Sequence, residues 1–446
     1  MLHRILPLRT ALLAALPAIP PAALPADVPR ASPAVPAHVH VHVHTHATES
    51  REAPARDVLS ARCIACHDAD GPAPIRLDSL EAVLRHRRLM RALVEDRSMP
   101  PGGVEGPHAT VDAARTGRGM LDDRERAALL DALASEERAR RAFEAMASSP
   151  TQPAAPSVAR VTTGGAWTVP ATGGMRIRSF HAPLAPDAPT RIRGWRMVAP
   201  ADPARSPIRF ISLAPDPARA WRILDERGTG AEAMGDVGRT PSGALGALSR
   251  TAPEFALPDG FAFELPAGDL VIETTLEPIG RESLVRPSIE MLAATPGDVR
   301  TVRAIAARIM PLEVAAGERV ERVVHIEAAE PLALVGIVAK GGAYLRGYAV
   351  DAIAADGCRT TIARDRDFRM NLTAPLVFRE PPPLAKGVVI EVRFDLDNTR
   401  ANPLQPFDPP RALVAGLPPE GEDAAVILLV APVEPAAPIP GGRADR

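Results

Sequence analysis

Lysine is nearly missing from this chain: Lys340 and Lys386 are its only two, although arginine is spread along all 446 residues. With a formal net charge of -2 and no basic stripe, there is no electrostatic case for a nucleic-acid partner. Cysteine is almost as scarce, with three in all, which excludes a disulfide-stapled secreted scaffold. Aromatic residues make up only 3% of the chain, so its cores must be built from Val, Leu, Ile and Ala. No segment beyond the amino terminus reaches the length needed to span a bilayer. What is abundant is punctuation. The 49 prolines and 32 glycines point to many turns and favour β-sandwiches over a helical bundle. At this length a single core would have stopped growing, so several domains are expected.

Residues 1–26 begin with His3, Arg4 and Arg9, continue through Ala11-Leu12-Leu13-Ala14-Ala15-Leu16 and end in small residues near Ala26. This is the layout of a secretory signal peptide, so the protein is expected in the periplasm or outside the cell. Residues 27–50 are rich in Pro and Ala, cannot bury a core and are expected to be disordered. Residues 51–147 read as mostly helical. The clearest helix follows Leu121, where Asp122 and Glu125 approximate a capping box and Ala128, Leu129, Leu133, Phe143 and Met146 follow at roughly helical spacing.

The proline-rich residues 148–160 read as a linker. Beyond it lie short β-like runs separated by Pro/Gly turns, among them 194–198, 208–211, 260–265 and 270–275. A second series follows at 322–326, 332–338, 387–396 and 424–430. A break near Ala293-Ala294-Thr295-Pro296-Gly297 divides them into 161–297 and 298–435, with a disordered tail at 436–446.

Cys63-Ile64-Ala65-Cys66-His67 has the form of a haem c attachment motif. Its two thiols add to haem vinyl groups, and the adjacent histidine binds iron. The competing readings are a thioredoxin-like redox pair and a zinc site; the first lacks a βαβ unit and the second lacks another Cys-x-x-Cys. For the other axial position Met99 is favoured, because Pro100 and Pro101 would hold it on an extended loop. Met90, His86, Met120 and His108 remain alternatives.

The motif, together with Gly71-Pro72-Ala73-Pro74-Ile75, Met99-Pro100-Pro101 and the helix after Leu121, resembles a small mono-haem cytochrome c domain. Some bacterial proteins carry this domain ahead of a copper monooxygenase-like module. In that family the methionine before the two prolines is taken as the axial ligand, which the resemblance transfers to Met99. The second half is similar to copper type II, ascorbate-dependent monooxygenases, the family of peptidylglycine hydroxylating monooxygenase and dopamine hydroxylase. Its best landmark is Phe394-Asp395-Leu396-Asp397-Asn398-Thr399-Arg400-Ala401-Asn402-Pro403, followed by Gly416. The fold class implied is a small all-α cytochrome c domain followed by two all-β jelly-roll sandwiches.

The same family needs five histidines and a methionine for two coppers, and this sequence departs from that set systematically. Arg209-Phe210, Thr275-Leu276, Gly342-Ala343-Tyr344 and Asp423 stand where the resemblance implies copper ligands, and only His181 and His325 occur after residue 150. Copper is therefore not expected in the sandwich module. Cys358, after Asp356-Gly357 in an expected hairpin, reads as a buried free thiol.

The leading expectation is a haem protein for electron transfer or redox sensing, with an unidentified redox partner protein and a copper-less β module as scaffold. A copper- and haem-dependent monooxygenase with atypical ligands, and a metal-binding envelope interaction protein, are the alternatives.

His38, His40, His42, His44 and His46 alternate along the early segment, and in an extended chain their rings face one side. Neutral imidazoles in that arrangement suit transient binding of copper, nickel or zinc. Calorimetric titration with copper or zinc at neutral pH is expected to give saturable binding that weakens below about pH 6, where imidazoles protonate. No heat at neutral pH would remove this role.

Overall fold

The computed structural model describes residues 53–64, 67, 75–96, 99, 104–105, 121, 123–147, 157–185, 190–198, 206–232, 242–249, 252–294, 297, 299–370, 375–416 and 421–433. The expected signal peptide, the histidine segment, Cys66, His108, Met120, residues 148–156 of the linker and the tail 436–446 lie outside these described residues.

Helix Ala53–Val58 runs directly into a π-helical turn, Leu59–Ile64, and is followed by helices Leu80–Glu95, Asp123–Ala132 and Glu136–Ala147. Ser79 caps the second of these, its Oγ accepting from the Ala82 amide at 3.3 Å. Amphipathic periodicity lets the helices bury one small cluster containing Val58, Leu59, Val94, Leu129 and Leu133. None of the described helices is long and apolar enough to cross a membrane.

The remaining β-like runs form strands. The strands make a ten-stranded, a five-stranded and a four-stranded sheet, with two small sheets besides. One core lies between the five-stranded sheet and part of the ten-stranded sheet, and includes Leu334, Val350, Phe394, Val426 and Leu428. The other lies between the four-stranded sheet and the ten-stranded one, and includes Trp195, Phe210, Ile272, Met291, Ile427 and Leu429.

This architecture corrects the expected small all-α cytochrome c domain followed by two jelly-roll sandwiches. Among the described residues 44% lie in strands and 17% in helices, and no separate all-α domain is evident. The amino-terminal stretch is not purely helical, because Val104 and Glu105 pair antiparallel with Asp365 and Arg364 and extend the five-stranded sheet. That pairing satisfies backbone groups that would otherwise be exposed at the sheet edge.

The two β halves are likewise joined. Strand Arg300–Arg308 pairs in parallel with Phe261–Glu264 and antiparallel with Ala425–Pro432, so one sheet continues past the Pro/Gly break. Strand Ser157–Thr162 also begins inside the segment expected as linker.

The landmark at 397–403 is a hydrogen-bonded corner. The fully buried Asn398 donates from Nδ2 to the carbonyls of Arg411 at 2.7 Å, Ala315 at 3.0 Å and Val314 at 3.3 Å, and its Oδ1 accepts from Gln405. Asn402 ties the same corner to Ala343 and Asp397. Asn398→Ala strands several buried carbonyls at once and is expected to lower unfolding stability by about 3 kcal/mol. Chemical denaturation measures the loss, and a change below about 0.5 kcal/mol, ordinary for a surface site, would contradict this role.

Candidate functional site

Cys63 sits on the π-helical turn, partly buried against the small helical cluster, and Met90 packs on that cluster as well. His67 follows shortly after. Its Nδ1 lies 2.6 Å from the carbonyl oxygen of Ile75, and its own carbonyl accepts from the Leu77 amide at 2.6 Å.

A carbonyl can only accept, so Nδ1 must carry the proton. In the neutral ring Nε2 then keeps its lone pair, the tautomer a metal-binding imidazole needs. On this criterion the residues present fit an iron ligand: Cys63 and Cys66 would hold the haem covalently and His67 would face its iron.

Met99 is part-buried after helix Leu80–Glu95, with its amide donating to Leu93 O at 2.9 Å. It is Met90, rather than Met99, that shares the cluster touching Cys63. His86 stands one turn before Met90 on the same helix. Among the described residues no group of three or more His, Cys, Asp or Glu side chains is placed to hold a metal ion.

A second site lies where the two cores meet. Phe210, Thr275, Gly342 and Asp423, one from each segment at which the resemblance implies copper ligands, line a single cavity of about 20 Å³. Phe210 and Ile177 flank Thr275 on neighbouring strands, and Thr275 Oγ1 approaches Met370 Sδ at 3.9 Å. The cavity has room for one water.

Paired charges occupy its polar side. Lys340, at the end of strand Leu332–Lys340, is buried with its Nζ 2.5 Å from Glu273 Oε1 and 2.9 Å from Asp423 Oδ2. Arg308 Nε stands 3.3 Å from Asp423 Oδ1, and Ser212 donates to Glu273 at 3.0 Å. Burial alone would lower the Lys340 pKa, but the Glu273 and Asp423 carboxylates outweigh it and raise it. Burial would likewise raise Asp423, and Lys340 with Arg308 holds it below the ordinary range. Removing Lys340 would strip the two buried carboxylates of their shared ammonium, typically a loss of about 3–5 kcal/mol.

Glu422 behaves differently. Burial pushes its carboxyl up to about 7, aided by the Asp423 charge and opposed by N–H donors from Gly342 at 2.5 Å, Tyr344 at 3.1 Å and Asp423 at 3.0 Å.

No family model matches, and no curated protein does. Among solved structures, the major capsid protein P2 from Bacteriophage PM2 is similar at 8% identity and a TM-score of 0.22, over 62% of this chain and 98% of that one. A Paenibacillus xanthan lyase is similar at 12% identity and a TM-score of 0.16, over 63% of this chain and 26% of that one. Likenesses this faint carry no functional argument.

The two histidines after residue 150 lie apart, each with one carboxylate. His181 Nδ1 is 3.3 Å from the buried Asp225, and His325 Nε2 is 3.0 Å from Glu391 on a different sheet. Cys358 corrects the expectation of a buried thiol: it is exposed. The turn explains why, since Gly357 takes φ +83° and the Cys358 amide donates back to Asp356 Oδ1 at 2.9 Å, leaving the side chain on the outside.

Sequence reasoning missed Glu273, Lys340 and Glu422. The available signal was a charged residue embedded in or ending an apolar strand run, which must be paired when buried.

The Glu422 environment makes stability depend on pH. Below the ordinary carboxyl range both folded and unfolded states hold the proton. Between that range and about 7 only the folded state keeps it, so unfolding releases a proton and stability falls as pH rises, levelling off above about 7. Thermal unfolding from pH 4 to 8 is expected to show this fall in the unaltered protein and a shallower one in Glu422→Gln. Identical pH profiles would refute the assignment.

Proposed function

We propose that this chain is an exported c-type haem protein that transfers electrons to, or senses the redox state of, an unidentified partner protein. The observation that carries the reading is the His67 Nδ1–Ile75 carbonyl contact at 2.6 Å directly after the Cys-x-x-Cys pair. Such a contact locks the ring and its tautomer, and it raises the basicity of the free nitrogen.

Haem c, when bound, supplies a one-electron iron couple. The chain's own residues do the rest. Cys63 and Cys66 would anchor the macrocycle, and His67 is held by its contacts with Ile75 and Leu77. The apolar side chains around Cys63 exclude water and so bias the potential. Met99 is the proposed second axial ligand, with Met90 as its competitor.

In this reading the β module contributes a rigid scaffold or docking unit and not a second redox centre. Phe210, Thr275 and Gly342 stand in the segments where the resemblance implies imidazoles, and Asp423, where it implies the methionine, is paired with Lys340. The segment 1–26 would direct export.

Expression in a host competent for c-type maturation is expected to yield haem that stays with the chain under denaturing conditions, and no ascorbate-driven oxygen consumption with added copper. Cys63→Ala should leave a single thioether link, with a shifted reduced absorption band. Met99→Ala should abolish the sulfur-to-iron charge-transfer band, whereas Met90→Ala should leave it. Absence of covalent haem would overturn the reading; two coppers per chain with ascorbate-driven oxygen consumption would favour the copper enzyme instead.

A further inference from the structure

Away from both sites, a cavity of about 520 Å³ opens at the edge of the ten-stranded sheet, beside the four-stranded one. Met197, Ile208, Ile211 and Val285 give it an apolar throat, and Ile211 and Val285 are buried members of the packed interior. Three arginines stand on its lining: Arg160 on the last strand of the ten-stranded sheet, Arg281 before strand Ser283–Val285, and Arg286 after it.

Arg286 is steadied by donating from Nε to Thr163 O at 3.1 Å. Among the described residues Arg160 and Arg281 have no carboxylate partner, and Glu282 is the only acid on the lining. Residues 199–205, between Val198 and Ser206, lie outside the described residues.

The volume falls in the range of small-molecule sites, and an apolar throat with convergent cations selects an anion that has an apolar body. Guanidinium groups match a carboxylate in fork geometry, which a single ammonium does not. We propose that this cavity binds an amphipathic organic anion, a carboxylate carried on an aliphatic chain. The head group would sit against Arg160 and Arg281 and the chain between the two sheets. The proposal draws on none of the haem chemistry, so either reading can fail without the other.

The test is isothermal titration of the full chain with decanoate below its micellar concentration, with decanol as the uncharged control and phosphatidylglycerol vesicles as the membrane arm. The expected result is saturable, one-to-one decanoate binding that weakens at least tenfold in the double variant Arg160→Ala/Arg281→Ala. Decanol should bind weakly and equally to both proteins. Both arginines are exposed, so the variant is expected to melt as the unaltered protein does. The proposal is overturned if decanoate does not saturate, or if the variant binds it equally well. Capture by anionic vesicles without binding of free decanoate would also overturn it, because the arginines would then mark a membrane contact and not a pocket.

Discussion

Strand Ala425–Pro432 has no face left for water, and each of its faces belongs to a different core. Val426, Leu428 and Val430 point into one, while Ile427, Leu429 and Ala431 point into the other. A one-residue slip would exchange every side chain between two differently shaped interiors, so its register is determined from both sides at once. Its neighbours Leu332–Lys340 and Arg300–Arg308 are held in turn, and through the latter the ten-stranded sheet reaches Phe261–Glu264 in the other half. The positions of both cores, and of everything between them, follow from this shared strand.

The buried charges lie beside that sheet. Lys340 and Asp423 flank the doubly buried region, and Glu273 reaches them from the four-stranded sheet, so an ion pair crosses from one half to the other. A compact ammonium suits this place, where a guanidinium would need a larger fork of acceptors. It is notable chemistry for a chain with two lysines. Phe210, Thr275 and Gly342 close the same spot with groups unsuited to copper, so cohesion between the halves comes from apolar packing and paired charges. Glu422, held by three amides next to this cluster, is the group there whose proton is exchangeable near neutral pH.

The Cys63-to-His67 segment is organised on a much shorter scale. His67 and the carbonyl that sets its tautomer are eight residues apart, and the turn bearing Cys63 continues directly from the helix before it. Local organisation of this kind can be read from sequence, because its residues lie close together along the chain. The helical pattern of 51–147 was legible for the same reason. It gave no sign that Val104 and Glu105 would join a strand far along the chain, since a two-residue pairing leaves no periodicity.

By itself, then, the sequence determined the elements whose causes are local: the Cys-x-x-Cys-His spacing, the helical runs, and the alternating or continuous apolar runs that became strands. It also determined that histidine is scarce after residue 150. Only the tertiary structure decided that the Pro/Gly break near 293–297 joins two cores instead of separating two domains, because partner strands are chosen by side-chain burial across the whole chain. The same holds for Lys340, Glu273, Asp423 and Glu422. Nothing along the chain brings these four together, and they become a site only where two sheets converge and low dielectric couples their charges.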